Sequence, residues 1–201
     1  MSEHKDVRPI ALLPPKTPIT AIDPKFVLAQ PVRLRIRHRP DAGECIIRDE
    51  LTGAPYFIMD PTFWSMHDRK LLRDATGAEV AAIESRTFTP GRSDVLRTNG
   101  HGKATSFLLR FDVSVALGNV EVKCEFQDVV TKMRRVFAAT GGAGSSVVLY
   151  SNGRPIAKWL KDWSFSDGGY VFLDVSPGVD LALIVLLCTS MVKASEKWAF
   201  R

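Results

Sequence analysis

The run Leu181-Ala182-Leu183-Ile184-Val185-Leu186-Leu187-Cys188 is the feature that most restricts how this chain can fold. It has no polar side, so a helix built from it must be surrounded by protein rather than laid on a surface. Even with Thr189 and Ser190 tolerated, the apolar stretch ends near Val192, well short of the roughly 18 to 20 residues that cross a bilayer. Asp180 stands just before it, where a carboxylate accepts from first-turn amides and complements the helix dipole; Lys193 and Lys197 suit the opposite end. The expectation is a core helix over about residues 180–197, packed through Leu181, Ile184, Val185, Leu187, Cys188 and Val192.

The container for that helix is read from the preceding residues. From Val32 onward the chain is a series of short apolar or alternating runs broken by Gly, Asp and Asn turn signals. One unit recurs: Asp49-Glu50-Leu51-Thr52-Gly53, Asp74-Ala75-Thr76-Gly77 and Ser151-Asn152-Gly153 each separate two apolar runs. Asp and Asn tolerate left-handed dihedrals and Gly adopts them freely, so each is a hairpin signal. Further strands are expected at 107–116, 120–126, 134–137 and 170–175, with the Gly-rich 141–146 as a loop. So many short strands either close on themselves or leave long exposed edges, and closure around the helix is the economical solution. The expected fold class is therefore mainly β: one closed antiparallel barrel, residues 31–201, enclosing a hydrophobic C-terminal helix. Half of the twelve prolines fall within the first 31 residues, where they deny ladder bonds and helical dihedrals, so residues 1–30 are expected as an extended or disordered leader.

The formal charge of +5 favours anionic partners wherever the positive residues cluster. They cluster best in Val32-Arg33-Leu34-Arg35-Ile36-Arg37-His38-Arg39. On a strand this alternation projects Arg33, Arg35, Arg37 and Arg39 from one side while Leu34 and Ile36 face the core. A row of guanidiniums offers bidentate contacts to phosphate, which suits a phosphoinositide headgroup or a nucleic-acid backbone. A second basic group, Lys132, Arg134 and Arg135, extends the row if the fold brings the two together. The competing reading is a solvated barrel wall whose arginines meet Asp41, Glu44 or Glu50.

Catalytic and metal chemistry find little support. The histidines at 4, 38, 67 and 101 share no ligand spacing with one another or with a cysteine, so no metal site is expected. Gly100-His101-Gly102-Lys103-Ala104-Thr105 lacks the upstream Gly and the hydroxyl after Lys of a phosphate loop, and no Gly-x-Ser-x-Gly occurs. No cofactor and no catalytic residue is nominated. Cys45, Cys124 and Cys188 are odd in number and far apart, which argues against a disulfide framework and for a reducing compartment, the cytoplasm first, with the membrane periphery or nucleus as alternatives.

A strand at 170–175, the turn Pro177-Gly178-Val179-Asp180 and the apolar run behind it resemble the LURP-one-related family. The tandem Gly-turn hairpins of 46–84, joined through Phe63-Trp64-Ser65-Met66-His67-Asp68-Arg69-Lys70, are similar to that family too. The resemblance implies the fold shared with Tubby C-terminal domains and phospholipid scramblases, a twelve-stranded barrel around a central hydrophobic helix. It implies no active-site residues. Relatives are associated with phosphoinositide binding, lipid movement, and defence or stress responses; the absence of a cysteine-rich cluster departs from the scramblases. The resulting expectation is a non-enzymatic binding module, docking on phosphoinositide or another anionic membrane surface through Arg33, Arg35, Arg37 and Arg39, or engaging a protein partner. The alternative is a small-ligand or protein-binding scaffold with no membrane role; an enzyme and a specific nucleic-acid binder rank below both.

Overall fold

The computed structural model describes residues 10–37, 45–60, 69–86, 91–101, 103–116, 118–142, 146–162 and 169–199, together with residue 89; at 162 and 192–199 only the backbone is described. Twelve strands follow one another: β1 (Val32–Arg37), β2 (Cys45–Asp49), β3 (Pro55–Asp60), β4 (Arg69–Asp74), β5 (Glu79–Ser85) and β6 (Arg92–Thr98), then β7 (Ala104–Ala116), β8 (Asn119–Gln127), β9 (Arg134–Gly142), β10 (Ser146–Ser151), β11 (Arg154–Asp162) and β12 (Tyr170–Val175). Each pairs antiparallel with its sequence neighbours, and β1 pairs with β12, so the meander closes without an edge. The mainly β closed barrel with an enclosed helix expected from the sequence is what the structure contains.

The turn chemistry explains the meander. Asn152 and Gly153 adopt φ of 49° and 74° between β10 and β11, the left-handed pair whose twist matches that of the flanking strands. At the two Asp-led turns the carboxylate organises the backbone. Asp49 Oδ1 accepts from the Thr52 amide at 2.7 Å, and Asp74 Oδ1 accepts from the Thr76 amide at 3.0 Å and the Ala78 amide at 3.1 Å. Gly141, expected in a loop, instead belongs to β9. A Cβ there would lie 2.2 Å from the Ser146 carbonyl oxygen, so glycine is required by close approach of strands rather than by flexibility.

Helix α1 (Leu181–Ala199) fills the barrel. All eight residues from Leu181 to Cys188 are at most 1% exposed, as is Met191. A strand ring this wide leaves a lumen that must be filled by something, and here the chain fills it with itself. Inward residues such as Leu34, Ile47, Phe57, Phe111, Phe137 and Leu173 complete the core around the helix. Two polar residues, Thr189 and Ser190, bond within the helix: their hydroxyls both donate to the Leu186 carbonyl at 3.0 Å. The Val192 side chain lies outside the described residues.

The proline-rich segment is where sequence and structure part. Residues 1–9 lie outside the described residues, but from Ile10 the chain crosses the mouth through which α1 enters. Ile19, Thr20, Ala21 and Ile22 are buried there. Ile19 bridges in parallel to Val179, Val27 bridges antiparallel to Asp180, and the Leu13 amide donates to the Pro155 carbonyl at 2.8 Å. The prolines keep the segment out of the barrel's ladder, but they do not exclude helix altogether: Pro24–Phe26 forms a short 3-10 turn capped by Asp23. Extended backbone can nevertheless be buried when its amides find other acceptors, and the strap finds them in Asp180 and Asp128.

Candidate functional site

The first sequence-nominated group is the outer wall of β1. Leu34 and Ile36 point inward and are buried, while Arg33, Arg35 and Arg37 occupy the alternate, outward positions. Register places Arg33 opposite Asp174, Arg35 opposite Phe172 and Arg37 opposite Tyr170 on β12; on the other side Arg35 faces Arg48 of β2. Arg39, Asp41 and Glu44 lie outside the described residues.

Two rings organise these arginines. Tyr170 and Phe172 stack with centroids 6.4 Å apart at 27°. The Arg33 guanidinium carbon sits 5.0 Å from the Phe172 centroid and that of Arg35 5.3 Å from the Tyr170 centroid. Such cation–π contacts hold a guanidinium by its face and leave its N–H edges to donate elsewhere. Carboxylates are nearby: Arg33 Nε lies 3.5 Å from Asp174 Oδ1, and Arg35 Nε lies 3.5 Å from Glu50 Oε2. All four side chains are partly exposed, and pairs of this kind are worth about 0–1 kcal/mol. The wall is thus a row of arginines braced on aromatic rings and loosely neutralised. Arg48 adds a further guanidinium, donating to the Gly53 carbonyl at 3.1 Å.

The second basic group does not join the row. Between β1 and β9 run β12, β11 and β10. Arg134 is exposed and paired with Glu125, and the Lys132 ammonium donates to the Val129 carbonyl at 2.9 Å. Arg135 is the clearest departure from expectation. Its side chain is buried, with Nε 3.5 Å from Asp128 Oδ2 and Nη2 donating to Thr17 Oγ1 at 2.8 Å and the Pro18 carbonyl at 3.1 Å. It clamps the strap and is no surface ligand group, because position 135 falls on the inward side of β9.

Asp180 does more than cap the helix. Its Oδ1 accepts from the Ala182 and Leu183 amides at 3.1 and 3.3 Å, the capping geometry the sequence suggests. Its Oδ2 accepts from the Ala21, Ile22 and Asp23 amides of the strap at 3.0, 2.7 and 3.3 Å. Burial pushes this carboxyl up to about 6 against the pull of those amides. Asp128 shifts the other way: burial would raise it, but the Thr131, Thr20 and Val130 amides win and hold it low. Both buried thiols are inert, since burial pushes Cys124 and Cys188 up to about 12.

The helix-filled barrel is matched by known proteins. A profile of the LURP-one-related family matches residues 32–191. The chain belongs to the LURP-one-related family. Protein LURP-one-related 1 of Arabidopsis thaliana is 25% identical over 92% of this chain and 87% of its own length. A protein of Arabidopsis thaliana with an X-ray structure has the same fold, with a TM-score of 0.62 and 22% identity over 87% of this chain and 96% of its own. The family match takes in the whole arginine row and its β12 partners and leaves out the strap, although Ile19 to Ile22 belong to the core. Among the described residues no helix is long and apolar enough to cross a membrane.

Sequence reasoning missed Tyr170, Phe172 and Asp174 as partners of the arginines. Their alternation is visible in Tyr170-Val171-Phe172-Leu173-Asp174-Val175. That β12 lies beside β1 is not, because the pairing that closes the barrel joins its two ends in sequence.

Proposed function

We propose that this LURP-one-related chain is a non-catalytic binding domain that docks on phosphoinositides or other anionic lipid headgroups through the outer wall of β12, β1 and β2. The observation that carries the reading is the pair of arginines, Arg33 and Arg35, each braced on an aromatic ring and each facing a carboxylate at a distance a phosphate can compete with. The helix occupies the lumen, so recognition falls to the outside and the two mouths. On this reading the protein works at the cytoplasmic face of a membrane without entering it, and Arg37 and Arg48 widen the contact.

The test is co-sedimentation with phosphoinositide-containing vesicles at physiological salt. Wild type is expected to pellet and the Arg33→Ala/Arg35→Ala/Arg37→Ala variant to remain in the supernatant. Equal pelleting of the two would remove the wall from the account, and failure of both would remove the headgroup.

A further inference from the structure

Among the described residues seven large apolar side chains stand exposed. Four of them gather on two neighbouring hairpins: Phe107 at 56%, Val130 at 58%, Met133 at 52% and Val136 at 49%. The hairpins β6–β7 and β8–β9 turn at the same mouth, and β7 and β8 between them are paired. Scattered single exposures need no explanation, but a group of this kind marks an interaction surface.

Charge says what kind of surface it is. Residues 97–107 and 129–136 contain no Asp or Glu, and they carry Arg97, Lys103, Lys132, Arg134 and Arg135. Two neighbouring carboxylates, the exposed Glu125, which lies in register between Arg110 and Val136, and the buried Asp128, are paired with Arg134 and Arg135. Arg97, Lys103 and Lys132 are exposed and meet no carboxylate among the described residues. Lys132 also adopts a φ of 58°, a left-handed conformation that costs a residue with a side chain roughly 1–2 kcal/mol where glycine would be relaxed. The hairpin tolerates that strain and carries an ammonium at its turn.

Shape selects the occupant. Val130 and Met133 lie at the tip of the β8–β9 turn, whereas Phe107 and Val136 lie on the outer wall of β7 and β9 below it, with Arg110 packed 5.6 Å from the Phe107 ring. A flat bilayer approaching the mouth reaches the tips and not the wall. A short amphipathic segment can follow both, placing apolar side chains on the four residues and carboxylates on the three cations. We propose that the rim formed by hairpins β6–β7 and β8–β9 docks an acidic amphipathic segment of a partner protein. The rim is separated from the arginine wall of β1 by β10, β11 and β12, so a headgroup and a partner segment can occupy the barrel together.

The experiment selects random peptides displayed on phage against the full chain and measures the affinity of the synthesised winners by fluorescence anisotropy. Peptides are expected to be rich in Asp and Glu interleaved with large apolar residues. Their affinity should fall at least tenfold for Lys132→Glu and for Val130→Ser/Met133→Ser; Val136→Thr, a β-compatible change on the β9 wall below the turn, should weaken them in the same direction. The Arg33→Ala/Arg35→Ala/Arg37→Ala chain should bind them like wild type, which separates this result from that of the headgroup test. Winners without acidic enrichment, or winners indifferent to all three rim variants, overturn the proposal. So does a Val130→Ser/Met133→Ser chain that keeps the peptides but loses sedimentation with phosphatidylserine vesicles, since the rim would then meet a bilayer.

Discussion

Two groups of charged residues sit on the same barrel under opposite rules. At the strapped mouth, Asp180 and Asp128 are fully buried and held by backbone amides, and Arg135 reaches across to Thr17 and Pro18. On the wall of β1, Arg33 and Arg35 are half-exposed and held by rings and by long ion pairs. A buried charge is costly unless it is paired or hydrogen-bonded. Asp180, Asp128 and Arg135 meet that need mostly through the strap, although Arg135 Nε makes no hydrogen bond among the described residues, so the mouth charges favour the segment that closes the barrel. An exposed pair contributes little to stability and can be exchanged for a ligand. The contrast separates residues that hold the fold from residues available for binding.

The sharpest way to break the contrast is Asp180→Ala. It strips the acceptor from three strap amides and two helix amides, and a loss of about 3–4 kcal/mol is expected in urea unfolding. A loss under about 1 kcal/mol would mean that the strap does not depend on this carboxylate.

The pH dependence comes next. The folded Asp180 carboxyl titrates near about 6 and an unfolded one near about 3.9, so between those values the folded chain holds a proton that the unfolded chain has released. Its contribution is fully present below about pH 4 and is lost as pH rises through 6, by at most about 1.4 kcal/mol per pH unit. Asp94 and Asp128 act in the opposite sense. Burial would raise Asp94, but Arg110 and Arg86 hold it low, as amides hold Asp128 low; both stabilise above their unfolded values near about 3.9 and lose that contribution at lower pH. The stability of wild type minus that of Asp180→Ala should therefore slope downward between about pH 4 and 6. A flat difference contradicts the shift.

Arg135→Ala removes the clamp on Thr17 and Pro18 and should cost about 2 kcal/mol, with protease cleavage appearing first in residues 10–18. On the outer wall, Arg33→Ala and Arg35→Ala should each change stability by less than about 1 kcal/mol. Equal losses for Arg135→Ala and Arg33→Ala would erase the distinction between mouth and wall.

Much of the barrel was legible because its signals are local. Asp49, Asp74, Asn152 and Gly153 announce their own turns, and the unbroken apolar run 181–188 announces an enclosed helix. The alternation of 32–37 likewise gives the inward and outward sides of β1 without reference to any partner. Long-range pairing carried no such signal. Pro9 to Pro31 read as a leader because proline excludes ladder bonding, while the amides at 20–23 are satisfied by carboxylates more than a hundred residues away. Arg135 read as a surface cation because its neighbours Lys132 and Arg134 are surface cations; only the strand phase of β9 turns it inward. Gly141 read as flexible, when it is the tight approach of β10 that demands it.

On the proposed function, a headgroup binds the wall while the buried charges of the mouth hold the fold. The most direct test is an NMR titration of the full chain with soluble inositol trisphosphate, following arginine Nε–H and backbone amide signals. Saturable shifts are expected at Arg33, Arg35, Arg37, Arg48, Tyr170 and Phe172, with the Ala21, Ile22 and Leu183 amides unmoved. Shifts centred on the strap and Asp180, or none on the wall, would contradict it.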